Sequence, residues 1–263
     1  MTQDADKTSN LVRAHVPLVT MDDLRAMAAL YSGSARNLFI HIPKNAGVSM
    51  RKAPQLHWKM VGVHKTFLKD AAYLDALRLE MGAAGQHHGI GHARLRDVKP
   101  WIVHRLRPIA VLRNPWARTV SRFRFARLIE EQGSRFASVN TTSFEAFLDT
   151  RHQDGHRPFF WHRAVRGWYP QRDYVVDSDG NVAADLLRQE HLKEESLKYF
   201  GLREPIKPRN ETRRGDLDNW QQYYTPQSIQ IVADWYEADI STFGFDYDTA
   251  ATRNCWACKE YSS

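Results

Sequence analysis

Residues 38–51 read Leu-Phe-Ile-His-Ile-Pro-Lys-Asn-Ala-Gly-Val-Ser-Met-Arg, a short apolar run followed by small and polar residues. The run from Leu38 to Ile42 predicts a buried strand, and Pro43 ends it because proline has no N–H to donate. A short helix is expected to begin near Val48. A strand, a tight loop of small residues and a helix N-terminus, in this order, present backbone N–H groups to an anion.

Two side chains in this loop suit an anion as well. Lys44 adds a mobile positive charge, and Ser49 adds a hydroxyl donor. The loop is not a Walker A motif, because its lysine precedes Gly47, whereas the lysine of that motif follows the second glycine. Taken alone, the stretch is equally compatible with an ordinary strand-to-helix turn that carries a solvated lysine.

A second strand-to-helix junction follows later in the chain. The run from Pro108 to Leu112 predicts another buried strand, which ends at Arg113. Asn114 is a good N-cap for a helix that should extend from Pro115 to about Glu131. Ser121 lies about two turns along that helix. Because ligands bind beyond the carboxyl ends of strands in open α/β sheets, Arg113 and Ser121 are expected to face one phosphate.

Weaker signals place the remaining elements. The turn sequence Asp-Ser-Asp-Gly at 177–180 predicts a hairpin between Tyr174–Val176 and Val182–Leu187. Thr142 and Glu145 have the spacing of a capping box. Further helices are predicted over Met21 to Leu30, Leu68 to Met81, Leu192 to Phe200, and from Pro226 onward.

The two junctions together resemble the phosphate-binding motifs of carbohydrate-type sulfotransferases that use 3′-phosphoadenosine-5′-phosphosulfate (PAPS). Residues 40–49 resemble the family's "IHIPKTGGTS" loop, and residues 113–124 resemble its "RNPWDRLVSxYRY" motif. Weaker likeness covers 91–97, 185–190 and 210–245. The resemblance implies an α/β fold with a mainly parallel central sheet flanked by helices, the P-loop-kinase-like sulfotransferase fold.

The resemblance also implies roles for individual residues. His92 is expected to be the general base toward the acceptor hydroxyl, with His41, His64, His87 and His88 as weaker rivals. Lys44 is expected to stabilise the leaving phosphate. The donor-binding residues implied are Lys44, Asn45, Ala46, Gly47, Val48, Ser49, Arg113, Ser121, Arg213 and Arg214. Val48 departs from the family, which usually has threonine there, and a solvated basic turn is the alternative for Arg213 and Arg214.

Composition sets the broad class. The chain has 263 residues, a net charge of +7 and 43% hydrophobic residues, which is typical of a globular protein with a mildly basic surface. We expect one sulfotransferase domain over 1–263, with an N-terminal arm and helix over 1–36 and a tail over 248–263. No apolar run is long enough to span a membrane and no signal peptide is apparent, so we expect a soluble, cytoplasmic protein. Cys255 and Cys258 receive no function.

Transfer of a sulfuryl group to a hydroxyl demands no metal, and none is predicted. The expected partners are the nucleotide donor PAPS and a hydroxyl-bearing acceptor, a carbohydrate or another small metabolite, which the sequence does not identify. Neither a membrane nor a nucleic acid is expected as a partner. Two other functions stay open: a nucleotide or small-molecule kinase with an atypical phosphate loop, which would need magnesium, and a basic nucleic-acid-binding protein.

Overall fold

A parallel sheet organises the part of the chain that the computed structural model describes, namely residues 21–83, 89–132, 139–153, 156, 167–207, 209 and 219–248. Within these ranges the sheet has four strands in the order β2-β1-β3-β4, and every neighbouring pair is parallel. The strands are β1 (Asn37–Ile40), β2 (Met60–Gly62), β3 (Arg107–Leu112) and β4 (Asp185–Arg188).

Helices flank this sheet, so the predicted α/β class with a mainly parallel sheet is confirmed. The architecture is compatible with a P-loop-like α/β fold. The described α-helices are α1 (Met21–Tyr31), α2 (Gly47–Arg51), α3 (Ala71–Ala83), α4 (Pro100–Arg105), α5 (Pro115–Glu131), α6 (Phe144–Asp149), α7 (Arg172–Val175), α8 (Leu192–Phe200), α9 (Pro226–Trp235) and α10 (Glu237–Phe243).

The elements with strong local signals lie where the sequence predicts them. Helix α5 begins at Pro115 and ends at Glu131, and the Asn114 side chain caps it by accepting hydrogen bonds from the N–H groups of Trp116 (3.0 Å) and Ala117 (3.3 Å). Helix α2 is short, and a 3₁₀ turn starts at Pro54. The helix after the loop is therefore short, as expected, and Pro54 lies beyond its end.

One local prediction is correct only in part, and another is wrong. The turn of the expected hairpin forms, with an antiparallel bridge between Val176 and Val182 and a hydrogen bond from the Ala183 N–H to the Val175 carbonyl oxygen (2.9 Å), but residues 185–188 pair in parallel with β3 instead. Leu186 and Leu187 are buried in the sheet, and a terminal hairpin strand would not bury both. At α6 the cap is Ser143, which accepts from Ala146 N–H at 3.0 Å, whereas the Thr142 hydroxyl donates to Asn140.

Both faces of the sheet are covered. Along β1, Leu38 and Ile40 belong to one apolar cluster, and Phe39 belongs to the other. Residues Ala110 and Val111 of β3 divide between the two clusters in the same way. Alternate side chains of a strand point to opposite faces, so this division buries the sheet on both sides. The strand ends are then the parts of the sheet left for a ligand.

The carboxyl ends of β1 and β3 flank a switch point in the sheet topology, and we call the space beyond them the β1–β3 crevice. The chain leaves β1 toward β2 on one side of the sheet, whereas it leaves β3 toward β4 on the other side. The connections therefore diverge between β1 and β3, and such a switch point is where open α/β sheets bind ligands. Both predicted phosphate-binding stretches begin there.

None of the helices in the described ranges combines the length and apolar character needed to cross a bilayer.

Candidate functional site

The loop that follows β1 has an unusual backbone. Lys44 has φ 69° and Ala46 has φ 57°, so two residues with a Cβ adopt the left-handed conformation. That conformation costs an L-residue about 1–2 kcal/mol. Such outliers are concentrated at ligand sites, where the surrounding structure holds them in place. The loop thus has the strained geometry that a binding loop often has.

Gly47 is required by close packing in this loop. A Cβ built on Gly47 would lie 1.8 Å from His41 Nε2, far inside van der Waals contact. The His41 ring is buried, and it is stacked against Phe39 with a centroid distance of 5.7 Å. The ring therefore has little room to move away from an added side chain. The sequence predicts closeness to a ligand at Gly47, and the structure shows closeness to His41.

His92 lies at the same loop, although it is 51 residues further along the chain. Its Nδ1 is 2.8 Å from the His41 carbonyl oxygen, and its ring centroid is 4.2 Å from that of His41. Because a carbonyl oxygen only accepts hydrogen bonds, Nδ1 carries the hydrogen of the neutral ring. The proton-accepting lone pair then belongs to Nε2. A half-buried imidazole in this tautomer suits a general base.

The rival histidines are placed differently. His64 lies before a 3₁₀ turn over Lys65–Phe67, and its Nδ1 is 2.9 Å from Thr66 Oγ1. His87 and His88 lie outside the described residues. Among the described candidates, His92 and His41 are the histidines at the phosphate-type loop.

Arg113 joins the loop from β3. Its side chain is 8% exposed, and Nη1 donates to the Lys44 carbonyl oxygen at 3.3 Å. The pKa of Arg113 is lowered to about 10, chiefly by burial; the Glu190 carboxylate opposes this shift and the nearby Arg118 adds to it. The guanidinium stays protonated at neutral pH. The structure therefore places a buried positive charge directly at the end of β3.

Lys44 points toward the middle of α5. Its ammonium lies 4.0 Å from the centroid of the Phe125 ring. Ser121 precedes Phe125 by four residues, so the two share one face of α5. The first predicted motif supplies Lys44 and the second supplies Arg113, and these two residues meet at the β1–β3 crevice. Ser121 of the second motif shares the helix face that the Lys44 ammonium contacts.

The pKa of Lys44 is lowered by burial and by neighbouring positive charges. Burial, together with the positive charges of Arg113 and Arg122, lowers the pKa of Lys44 to about 7. No carboxylate of the described residues forms an ion pair with the Lys44 ammonium. A partly buried ammonium without a counter-charge is unfavourable, and an anionic ligand would relieve the repulsion.

Arg118 and Arg122 are buried, so neither extends into solvent from α5. Arg118 is 0% exposed and donates to the carbonyl oxygens of Pro43 (3.2 Å) and Tyr169 (2.9 Å). The Arg122 guanidinium lies 4.1 Å from the Trp168 ring centroid. These arginines bind the loop and helix α5 to the rest of the protein.

Asn45 and Ser49 use their side chains inside the protein. Asn45 Nδ2 donates to the Val111 carbonyl oxygen at 2.8 Å and to Gln171 Oε1 at 2.6 Å. Ser49 Oγ accepts from Arg209 N–H at 2.8 Å. If Asn45 contacts the predicted nucleotide, it would therefore do so through its backbone. A contact of Ser49 with the nucleotide would share a hydroxyl that is already bonded to residue 209. Arg213 and Arg214 lie outside the described residues.

Sequence reasoning assigned no role to Gln171, Asp239 or Phe125. Gln171 follows an irregular segment, and glutamine is usually exposed, so nothing in its local sequence indicates complete burial. Phe125 could have been found from its spacing, since it is one turn beyond Ser121 on the predicted helix.

Among the described residues, no group of three or more His, Cys, Asp or Glu side chains is arranged to hold a metal ion. Comparison of the chain with family models, curated proteins and solved structures found no match.

Proposed function

We propose that the protein is a sulfotransferase that moves the sulfuryl group of PAPS to a hydroxyl of a carbohydrate or other small metabolite. The observation that carries this proposal is the crowding of Lys44 and Arg113 at the β1–β3 crevice, beside the helix face that carries Ser121. PAPS has phosphate groups at two ends of one nucleoside. Two separate cationic groups at one crevice are suited to such a ligand.

The proposed donor contacts follow from this arrangement. The loop from Lys44 to Ser49 would bind the 5′-phosphosulfate, and Arg113 with Ser121 would bind the 3′-phosphate. Arginine suits the second role because its planar guanidinium holds phosphate through two parallel hydrogen bonds. Arg213 and Arg214 are proposed as further donor-binding residues on the sequence resemblance alone.

The proposed reaction breaks the bond between sulfur and the bridging phosphate oxygen and forms one between sulfur and the acceptor oxygen. The electron pair of the broken bond stays on the 5′-phosphate, so 3′,5′-bisphosphoadenosine (PAP) is the leaving group. His92 Nε2 takes the acceptor proton, and the Lys44 ammonium stabilises the charge that grows on the bridging oxygen. This reaction needs no metal, and the prediction that none takes part stays a prediction, as does a cytoplasmic location.

The test compares PAP with AMP, which lacks only the 3′-phosphate. We expect PAP to raise the melting temperature in proportion to its occupancy and to bind much more tightly than AMP in calorimetry. Labelled PAPS and a panel of saccharide and small hydroxyl acceptors would then identify the product. Equal affinity for PAP and AMP would contradict the proposal. Activity with ATP that EDTA abolishes and magnesium restores would favour a kinase, and tighter binding of oligonucleotides than of PAP would favour a nucleic-acid-binding protein.

The lowered pKa of Lys44 predicts how PAP affinity depends on pH. Below pH 7 the Lys44 ammonium is charged in both the free and the PAP-bound protein. In this range Lys44 should therefore add no pH dependence to the affinity for PAP. Above about 7 the free protein loses this proton. The bound anion raises the pKa of Lys44, so binding must take the proton up again. The dissociation constant should therefore rise with pH, by at most about tenfold per pH unit.

Calorimetry between pH 7 and 9, in buffers of different ionisation enthalpy, measures this proton uptake. Phosphate groups have their second pKa near 6, so PAP itself contributes little in this window. Lys44→Arg is the matched control, because arginine stays charged and should remove the pH dependence. A wild-type affinity that is flat across this window would show that Lys44 does not contact the donor.

A further inference from the structure

We infer that Gln171 is a positioning residue that holds the two anion-binding stretches in register, with Asp239 as its anchor. This inference deepens the proposed function and rests on it. No side chain of Gln171 or Asp239 is proposed to touch the substrate. Their role is to fix Arg113 and the loop after β1 relative to each other.

Gln171 is 0% exposed, and it uses every hydrogen-bonding position of its side-chain amide. The Oε1 atom accepts from Asn45 Nδ2 at 2.6 Å and from Arg113 N–H at 2.9 Å. The Nε2 atom donates to the Arg113 carbonyl oxygen at 2.8 Å and to Asp239 Oδ2 at 3.2 Å. One amide thus bonds both main-chain groups of Arg113 and a side chain of the phosphate-type loop.

These contacts span the crevice. Asn45 follows β1, and its amide also donates to Val111 of β3 at 2.8 Å. Arg113 is the first residue after β3. The parallel ladder sets the register of β1 and β3 only as far as the pair of Ile40 and Ala110. Beyond the ladder, Asn45 and Gln171 carry the alignment across to Arg113. The position of the guanidinium relative to the loop therefore depends on this amide.

Asp239 fixes Gln171 from the other side. Its two carboxylate oxygens accept from the backbone N–H groups of Gln171 (2.9 Å) and Arg172 (2.8 Å). Asp239 is 0% exposed and belongs to α10. Both oxygens face N–H donors, so a carboxylate, and not an amide, satisfies the site. Helix α10 thereby fixes the start of α7. Gln171, at the start of α7, in turn fixes Arg113 and Asn45.

A role limited to filling space predicts a different behaviour from a positioning role. Methionine has nearly the volume and shape of glutamine but makes none of these hydrogen bonds, so Gln171→Met preserves packing. If the bonds position Arg113, the variant should lose recognition of the 3′-phosphate, which Arg113 is proposed to bind. Binding of AMP, which has no 3′-phosphate, should change less. The ratio of PAP to AMP affinity is therefore the readout.

The experiment measures PAP and AMP affinity by calorimetry for wild type, Gln171→Met, Gln171→Glu and Leu30→Ala. We expect the affinity ratio to fall by about tenfold or more in Gln171→Met, since small displacements of a positioning group have effects of this size or larger. Leu30→Ala is the matched control. Leu30 is buried in α1, and its carbonyl oxygen accepts from Arg105, before the amino end of β3, so the variant loses stability away from the crevice. Its affinity ratio should equal that of wild type.

Gln171→Glu covers the case in which the methionine variant does not fold. Glutamate keeps both accepted bonds and loses both donated ones, and it places a second carboxylate against Asp239. The affinity ratio should fall again, and it should recover partly on acidification, when a protonated carboxyl regains one donor.

The outcomes separate the inference from the proposed function. A wild-type ratio near one would overturn the proposed function. A high wild-type ratio that Gln171→Met or Gln171→Glu leaves unchanged would overturn the positioning role. An equal fall in Leu30→Ala would also overturn it, because the loss would then follow stability and not position.

Discussion

His92→Ala should lower kcat for the proposed sulfuryl transfer by about 10²–10⁴, the usual contribution of a general base. The tautomer supports this expectation, because the bond from Nδ1 to the His41 carbonyl oxygen leaves the basic lone pair on Nε2. PAP affinity should hardly change, since the imidazole would face the acceptor. The measurement is a steady-state assay with labelled PAPS and calorimetry with PAP.

His92→Asn sharpens this prediction. The asparagine amide can still donate a hydrogen bond to His41, but it cannot accept the acceptor's proton. The loss of kcat should therefore match that of the alanine variant, and the rise of the rate with pH on the acid side should disappear in both. His104→Ala is the control, because His104 is an exposed residue of α4, next to the amino end of β3. An asparagine variant with wild-type turnover would show that His92 acts only through its hydrogen bond.

Where a local signal was strong, the sequence predicted the fold correctly. Pro43 and Gly47 and the Asn114-Pro115 pair determine where strands end and helices begin. They do so through their own backbone chemistry, which needs no distant partner. The second strand of the hairpin predicted at 174–187 is wrong because its pairing is decided by distant residues. Its turn signal is local, but the choice of β3 as the partner of residues 185–188 depends on contacts more than 70 residues apart.

The candidate site divides in the same way. That Lys44 and Arg113 would lie near each other was implied by the resemblance, which assigns both to one nucleotide donor. The burial of Arg118 did not follow, because its partners are the carbonyl oxygens of Pro43 and Tyr169 in two separate loops. Gln171 was missed because its partners lie 58, 68 and 126 residues away. Motifs predict which groups meet the ligand, and long-range contacts decide how those groups are held.

Arg113→Ala should weaken PAP binding by about 2–4 kcal/mol, the scale for losing one partner of a buried, charged hydrogen-bonded pair. That range corresponds to a rise in the dissociation constant of about 30-fold to 1,000-fold. AMP affinity should change much less, because AMP has no 3′-phosphate for the guanidinium to bind. Calorimetry with both nucleotides measures the difference. The PAP affinity of Arg113→Lys should lie between that of wild type and that of Arg113→Ala, because lysine keeps the charge but cannot form two parallel hydrogen bonds.

Arg107→Ala is the matched control for this last prediction. Arg107 begins the same strand that Arg113 follows, and it is exposed at the opposite end, where it pairs with Asp185. Removing it changes the net charge of the protein by the same amount without touching the crevice. If both variants weakened PAP equally, the effect would be that of general charge, and if neither did, Arg113 would not bind the 3′-phosphate. A selective loss in Arg113→Ala, with AMP affinity retained, requires a guanidinium at the end of β3 that contacts the 3′-phosphate directly.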